Sequence, residues 1–181
     1  MESRRYIIIS ETPDRISGLL ESIRHHMAGE YGSVSALEYP PHITLRTGVV
    51  VPMDKRDIVF DSFRRLTYGS GPFSVRTDGL IFSEYAKGKY LAGYSMAKDE
   101  ALMRFNELLL TYREYRKSDK VDFQPHLTLL FDDLTKENFK NCRDSLTSKH
   151  CELPGLQWEL EEYGFYYYVR GKWVPEEIIR L

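Results

Sequence analysis

Two histidines and two threonines, His42 with Thr44 and His126 with Thr128, are the residues of this chain whose types and spacing could do chemistry. Each pair sits in an almost identical pentapeptide, Pro41-His42-Ile43-Thr44-Leu45 and Pro125-His126-Leu127-Thr128-Leu129, set 84 residues apart. At roughly 5% usage per residue type, four matched positions recur by chance about once in 10⁵ windows, so the second copy marks a duplicated element. On a β-strand the i, i+2 spacing sends each histidine and threonine to one face, and sends Ile43, Leu45, Leu127 and Leu129 to the other, where they anchor a core.

Two such strands facing one cleft suit an in-line displacement at phosphorus. One neutral imidazole removes a proton from water, and the other, protonated, gives a proton to the leaving oxygen. An ordinary histidine pKa near 6.5 makes both forms accessible near neutral pH. The hydroxyls of Thr44 and Thr128 are neutral donors for non-bridging phosphoryl oxygens as negative charge builds on them. No metal is needed, and a zinc site is disfavoured. Two histidines are too few ligands, and Asp122, Phe123 and Asp132 around the second motif put no carboxylate on the inward register. The chain lacks G-x-S-x-G, which argues against a serine hydrolase, and K-x-D-G, which argues against ATP-driven ligation.

The elements that must position these residues repeat as well. Residues 6–10 are apolar and β-branched and read as a buried strand. Thr12-Pro13-Asp14 opens a helix with Pro13 near its first position and Ile16, Leu19, Leu20, Ile23 and Met27 at helical spacing. The first motif strand at about 41–47 follows, then a helix over 54–66 with Ile58, Val59, Phe63 and Leu66 inward, then a strand over 73–83. The order restarts with a strand over 90–95 and a helix over 98–115 carrying Leu102, Phe105, Leu108, Leu109 and Tyr112. The second motif strand at 125–131, a helix over 135–149, strand-rich 156–169 and Lys172-Trp173-Val174 complete the chain. Each half reads β-α-β-α-β, with its motif at the same point. The expectation is one bilobal domain over 1–181, with lobe 1 at about 1–86, lobe 2 at about 87–181, and the motifs meeting across a pseudo-two-fold axis.

Bulk properties narrow the function classes. A formal charge of −2 leaves any nucleic-acid binding to a local basic cleft. The only cysteines, Cys142 and Cys151, form no C-x-x-C pair and read as free thiols of a reducing cytosol. The apolar run at 6–10 is too short for export or for spanning a bilayer, so a cytoplasmic protein with no membrane partner is expected.

Paired H-x-T motifs on duplicated strands, each preceded by proline, resemble those of the 2H phosphoesterase superfamily, which includes the LigT-like 2′,3′-cyclic phosphodiesterases also called the 2′-5′ RNA ligase family. The resemblance covers essentially the whole chain. It implies an α+β fold with two lobes of antiparallel sheet around a central cleft and helices outside. It implies His42 and His126 as catalytic acid and base, with Thr44 and Thr128 binding phosphate. It also implies metal-independent opening of 2′,3′-cyclic phosphates, usually leaving a 2′-phosphate; the expected substrates are RNA ends or small nucleotides, and the expected enzyme is a monomer without a cofactor. Alternatives are a phosphodiesterase for 2′-5′ oligoadenylate, a cyclic oligonucleotide or an ADP-ribose cyclic phosphate, and a non-catalytic nucleotide-binding module.

The two motif tails differ. Arg46 follows the first on the register expected to face the cleft, where a guanidinium could pair with a phosphate oxygen or lie in a rim salt bridge; Leu130 holds the matching place in the second. Phe131 can stack on a base but cannot donate to it. His25 and His26, adjacent on a helix, point about 100° apart and belong to a solvated face. His150 suits a helix C-terminus, and Tyr166, Tyr167 and Tyr168 alternate across a strand. Lys87, Lys89, Arg76 and Arg170 are candidates for a basic rim.

Overall fold

The computed structural model describes residues 2–112, 123–150 and 155–181; Asp122, Cys151, the end of the helix expected over 98–115 and the side chain of His150 lie outside what it describes. The element order is β1 (Ser3–Glu11), α1 (Asp14–Tyr31), β2 (His42–Pro52), α2 (Arg56–Thr67), β3 (Phe73–Ala86), β4 (Lys89–Met96), α3 (Glu100–Thr111), β5 (His126–Phe131), α4 (Lys136–His150), β6 (Gln157–Leu160), β7 (Glu162–Val169) and β8 (Lys172–Arg180). Short 3₁₀ turns at Ser35–Glu38 and Met53–Lys55 lead out of α1 and into α2. The strands form one α+β antiparallel sheet in the order β6-β3-β4-β5-β2-β1-β7-β8. At its middle, β2 and β5 are joined by a single residue pair, Ile43 with Leu127. A four-stranded half therefore lies on each side of that junction.

The pairing exchanges strands between the halves of the chain. β3, which ends the first repeat, pairs with β4 and β6, whereas β7 pairs back onto β1. The expected boundary at 86/87 thus falls in the turn of the β3–β4 hairpin, and the two halves of the sheet are not the two halves of the sequence. The helices cross over too. α1 packs on β5, and α3 packs on β2.

Local sequence explains the element ends. Pro13 is the N-cap of α1, one position earlier than expected, with extended backbone and Asp14 in the first helical turn. Gly32 closes α1 in the left-handed region at φ 72°, its N–H donating to Ala28 O at 2.9 Å. Thr135 caps α4, its Oγ1 accepting from the Asn138 N–H at 3.1 Å.

The core unites the inward residues of both motifs, Ile43, Leu45, Leu127 and Leu129, all 0% exposed, with Ile16, Leu20, Ile23 and Met27 of α1 and Leu102, Phe105 and Leu109 of α3. The helical expectations fail at four places. Leu19 is 37% and Ile58 67% exposed, while Arg24 and Asn106 are buried in the helix faces where only apolar residues were expected. Both buried polar residues hydrogen-bond to motif-strand carbonyls, which is why those faces admit them.

Candidate active site

The single β2–β5 pair sets the geometry. With Ile43 opposite Leu127 in antiparallel strands, Thr128 falls level with His42 and His126 level with Thr44, on the face away from the core. That arrangement puts the two imidazoles diagonally across the junction, and the charge of His126 acts on His42. All four expected residues come together there.

The flanking backbone fixes both rings in the same way. His42 Nδ1 lies 2.7 Å from Pro40 O, and His126 Nδ1 lies 2.8 Å from Gln124 O. A carbonyl can only accept, so each Nδ1 carries the proton, and each Nε2 is the nitrogen left for chemistry. The proline before each histidine belongs to this device. It holds the chain extended, so that the carbonyl two residues before the ring turns back onto it. Among the described residues neither threonine hydroxyl hydrogen-bonds to a protein group. Two Nε2 atoms and two hydroxyls therefore remain available around one point.

Immediately past each motif the strand bulges. Ile9 pairs with Thr44 but Ile8 with Arg46, and Gly93 pairs with Thr128 but Ala92 with Leu130, so Leu45 and Leu129 are the extra residues. A bulge reverses the alternation of side chains beyond it. This overturns the expected register of Arg46. Its guanidinium is buried, donating from Nη1 to Leu109 O at 2.6 Å and from Nη2 to Tyr112 O at 2.7 Å, where it secures the end of α3. Leu130 turns inward to the core in the same way. The bulge also carries Phe131 to the cleft side. Its ring stacks on Tyr85 at 5.3 Å, and Tyr85 Oη donates to Asp132 Oδ1 at 2.7 Å. Gly93 lies so close to the second motif that an added Cβ would collide with Leu127 O.

A buried cation that sequence reasoning missed underlies both motifs. Arg24, 1% exposed, donates from Nε and Nη2 to Thr128 O, at 2.9 and 2.6 Å, and from Nη1 to Tyr39 O at 2.9 Å. It reaches from α1 to the second motif strand and to the segment that enters the first. Burial lowers its pKa to about 10, so it stays charged at neutral pH. His42 is pushed down to about 4, first by burial and then by the nearby charges of Arg24 and His126, against the opposing bond to Pro40 O. At pH 7 His42 is neutral. The signal available in the sequence was a basic residue in the register of a buried helix face, one turn after Leu20.

Aromatic rings line the approach to His42. Tyr39 meets its ring edge-on at 5.6 Å, Trp173 lies 6.1 Å from Tyr39, and Tyr168 lies 5.6 Å from Trp173. Glu38, Tyr39, Pro40, Lys172 and Trp173 are among the residues lining a groove of about 550 Å³, which takes in Tyr39 but no residue of either motif. A second cavity, about 400 Å³ between Arg64, Tyr68, Ile178 and Leu181, lies away from the motifs. Asp133 anchors the entry to this segment. Its carboxylate accepts from Ser33 Oγ, Val34 N and Ser35 N at 2.5, 2.7 and 2.9 Å.

The remaining candidates are dispersed. His25 and His26 are exposed, bound to Glu21 O and Glu30 within α1. Tyr166 is buried and donates to Glu11, Tyr167 carries Arg4 over its ring at 4.1 Å, and Tyr168 donates to Glu38 at 3.1 Å. Lys89 pairs with Asp132 and Arg76 with Asp99, while Lys87 and Arg170 stand exposed in two different hairpin turns; no common rim forms. Cys142 is buried, its thiol raised to about 11 by burial. Among the described residues no three of His, Cys, Asp and Glu cluster at metal-binding distance, and no helix is long and apolar enough to cross a membrane.

Residues 12–172 match the family model described as the 2′-5′ RNA ligase superfamily. No curated protein sequence matches the chain. Among solved structures, TT0787 of Thermus thermophilus is similar at a TM-score of 0.66 and 18% identity, over 98% of this chain and 97% of that one. E. coli LigT complexed with 3′-AMP is similar at 0.63 and 16%, over 99% of each chain. Usb1 of Kluyveromyces marxianus is similar at 0.53 and 12%, over 97% of each. At these identities the likeness is one of fold.

Proposed function

From the premise that the chain belongs to the 2′-5′ RNA ligase superfamily of 2H phosphoesterases, we propose that it is a phosphodiesterase opening 2′,3′-cyclic phosphates on RNA ends or small nucleotides. The observation carrying this reading is the pair of identically held imidazoles, each with Nδ1–H fixed by a carbonyl, flanking two hydroxyls that have no hydrogen-bond partner among the described residues. One Nε2 takes the proton of a water whose oxygen bonds to phosphorus. The P–O3′ bond breaks as the other Nε2–H delivers its proton to O3′, leaving a 2′-phosphomonoester. Thr44 and Thr128 donate to the non-bridging oxygens as charge builds there. The step uses only groups of this chain and water, so turnover should survive EDTA. LigT, a structural neighbour, has been crystallised with the nucleotides 3′-AMP and ATP and with phosphate, which supports a phosphate-bearing nucleotide as substrate.

A second reading, a linear 2′-5′ or similar oligonucleotide, draws support from the groove of about 550 Å³ lined by Tyr39, the ring that meets His42 edge-on, and by Trp173; both rings suit a second base. One experiment separates the readings. A panel of 2′,3′-cyclic nucleotides and 2′-5′ dinucleotides is ranked by kcat/KM, with phosphorus NMR of each product. Preference for the linear bond overturns the first reading, and nucleotide binding without turnover of any substrate overturns both.

A further inference from the structure

The duplicated fold gives the two histidines matching strands, matching prolines and matching carbonyl partners, yet the reaction needs them to differ. Burial sets part of the difference, since His42 is buried and His126 half-buried; the rest should come from a group that meets one motif and has no equal at the other. Arg46 was the candidate in the sequence, and the bulge removes it from the cleft. In the folded chain the helix of each half reaches the motif strand of the other. α3 does so through the neutral Asn106, whose Nδ2 donates to Leu45 O at 2.6 Å. α1 does so through Arg24, whose fork spans Thr128 O and Tyr39 O. The two anchors are counterparts in placement and unlike in charge.

We propose that Arg24 is a positioning residue that makes the two histidines unequal. Its buried guanidinium ties the second motif to the segment entering the first and fixes a positive charge beside His42, making His42 the proton acceptor and His126 the proton donor. The assignment of roles rests on the phosphodiesterase reading; the electrostatic part does not.

The groups facing His42 are few. Glu11 is its cross-strand neighbour on β1 and is taken up by Tyr166 of β7. Tyr39 abuts its ring from the preceding segment, where burial above all raises the phenol to about 12 and keeps it uncharged. His126 faces it from β5. α1 presents Arg24, and Glu21 lies near enough to act on that guanidinium. Among the described residues Arg24 forms no ion pair; carbonyl dipoles and the nearby Glu21 carboxylate offset its charge in part, and the charge still acts on His42. The same charge attracts a phosphate anion toward the junction.

Two variants separate charge from tethering. Arg24→Gln keeps amide donors and loses the charge; Arg24→Lys keeps the charge and loses the fork. The readouts are the titration of each histidine by nitrogen-detected NMR and the pH profile of kcat/KM on a 2′,3′-cyclic nucleotide. In Arg24→Gln the His42 titration and the acid-side limb of the profile should both move to higher pH by about one unit. In Arg24→Lys kcat should fall while the limb stays. A purely structural role would lower activity in both variants and move neither titration, which would overturn the proposal, as would equal movement of both histidines. Should Arg24→Gln fail to fold, Arg24→Met, which fills the same buried space without charge, gives the same readout, and an unmoved His42 titration there overturns the idea. The titration needs no substrate. Absence of turnover with the predicted titrations intact would therefore overturn the phosphodiesterase reading and the assigned roles together, leaving the charge effect standing.

Discussion

Burial of His42 as a neutral imidazole ties the stability of the protein to pH in a window set by one residue. Its pKa falls from 6.5 to about 4 on folding, chiefly through burial, and at 7% exposure solvent offers little relief. Above pH 6.5 both folded and unfolded forms are neutral at this position, and there is no linkage. As pH falls below 6.5 the unfolded chain takes up a proton that the folded one refuses, so stability is lost until pH reaches about 4, where the folded state protonates too. The drop is about 2.5 pH units, and at about 1.36 kcal/mol per unit it costs about 3 kcal/mol. The perturbation that isolates it is His42→Asn, whose amide nitrogen can still donate to Pro40 O. Urea unfolding of both proteins at pH 7, 6, 5 and 4 is the assay. The stability advantage of the native protein over the variant should shrink by about 3 kcal/mol between pH 7 and 4, roughly 6–12 °C in Tm for a chain of this size. Carboxylates held low, such as Asp133 and Glu176, lose stability at lower pH and do so in both proteins, so they cancel. Curves that stay parallel across this range would refute a buried neutral His42.

His42→Ala and His126→Ala should each lower kcat/KM on a 2′,3′-cyclic nucleotide by about 10²–10⁴-fold with far-UV circular dichroism unchanged; a near-native rate in either would exclude it from catalysis. The acid-side limb of the kcat/KM profile of the native enzyme should lie near the His42 value of about 4, and a limb near 6.5 would contradict His42 as the base. Arg46→Met removes two charged donors from the end of α3 and should cost about 2–4 kcal/mol in urea unfolding while leaving KM within a few-fold. A large rise in KM would return Arg46 to the substrate. Gly93→Ala forces the Leu127 carbonyl aside and should destabilise by about 1–3 kcal/mol while lowering kcat, since Leu127 sits between His126 and Thr128.

The repeat of a rare pentapeptide made the four motif residues and their common face legible, because period-2 alternation needs no tertiary information. Element order was legible for the same reason. Three things were not. The bulges at Leu45 and Leu129 leave no mark in composition, so alternation continued past them carries Arg46 into the cleft when its side chain lies under α3. Arg24 and Asn106 interrupt apolar stripes because each meets a carbonyl of a strand from the other half, and long-range partners of this kind cannot be read from local spacing. Leu19 and Ile58 sit at helical spacing yet face outward, because the helix face that packs is chosen by the strand it meets.

The exchange of strands bears on whether the halves of the sequence could ever stand alone. A fragment ending at residue 86 would contain β1, β2 and β3, but β3 pairs with β4 and β6, both beyond the cut. β1 would lose β7, α1 would lose the β5 carbonyl that holds Arg24, and the buried guanidinium would be left without two of its three bonds. The remainder fares no better, since β7 and β8 would have no β1 to extend. We therefore propose a single interlocked unit in place of two separable lobes. The expected result is one urea transition, coincident by circular dichroism and tryptophan fluorescence, with residues 1–86 unfolded when expressed alone. A folded 1–86 fragment with native-like amide protection in β1 and β2 would overturn this. The same interlocking bears on the site, since each motif strand carries a hydrogen bond from a helix of the other half.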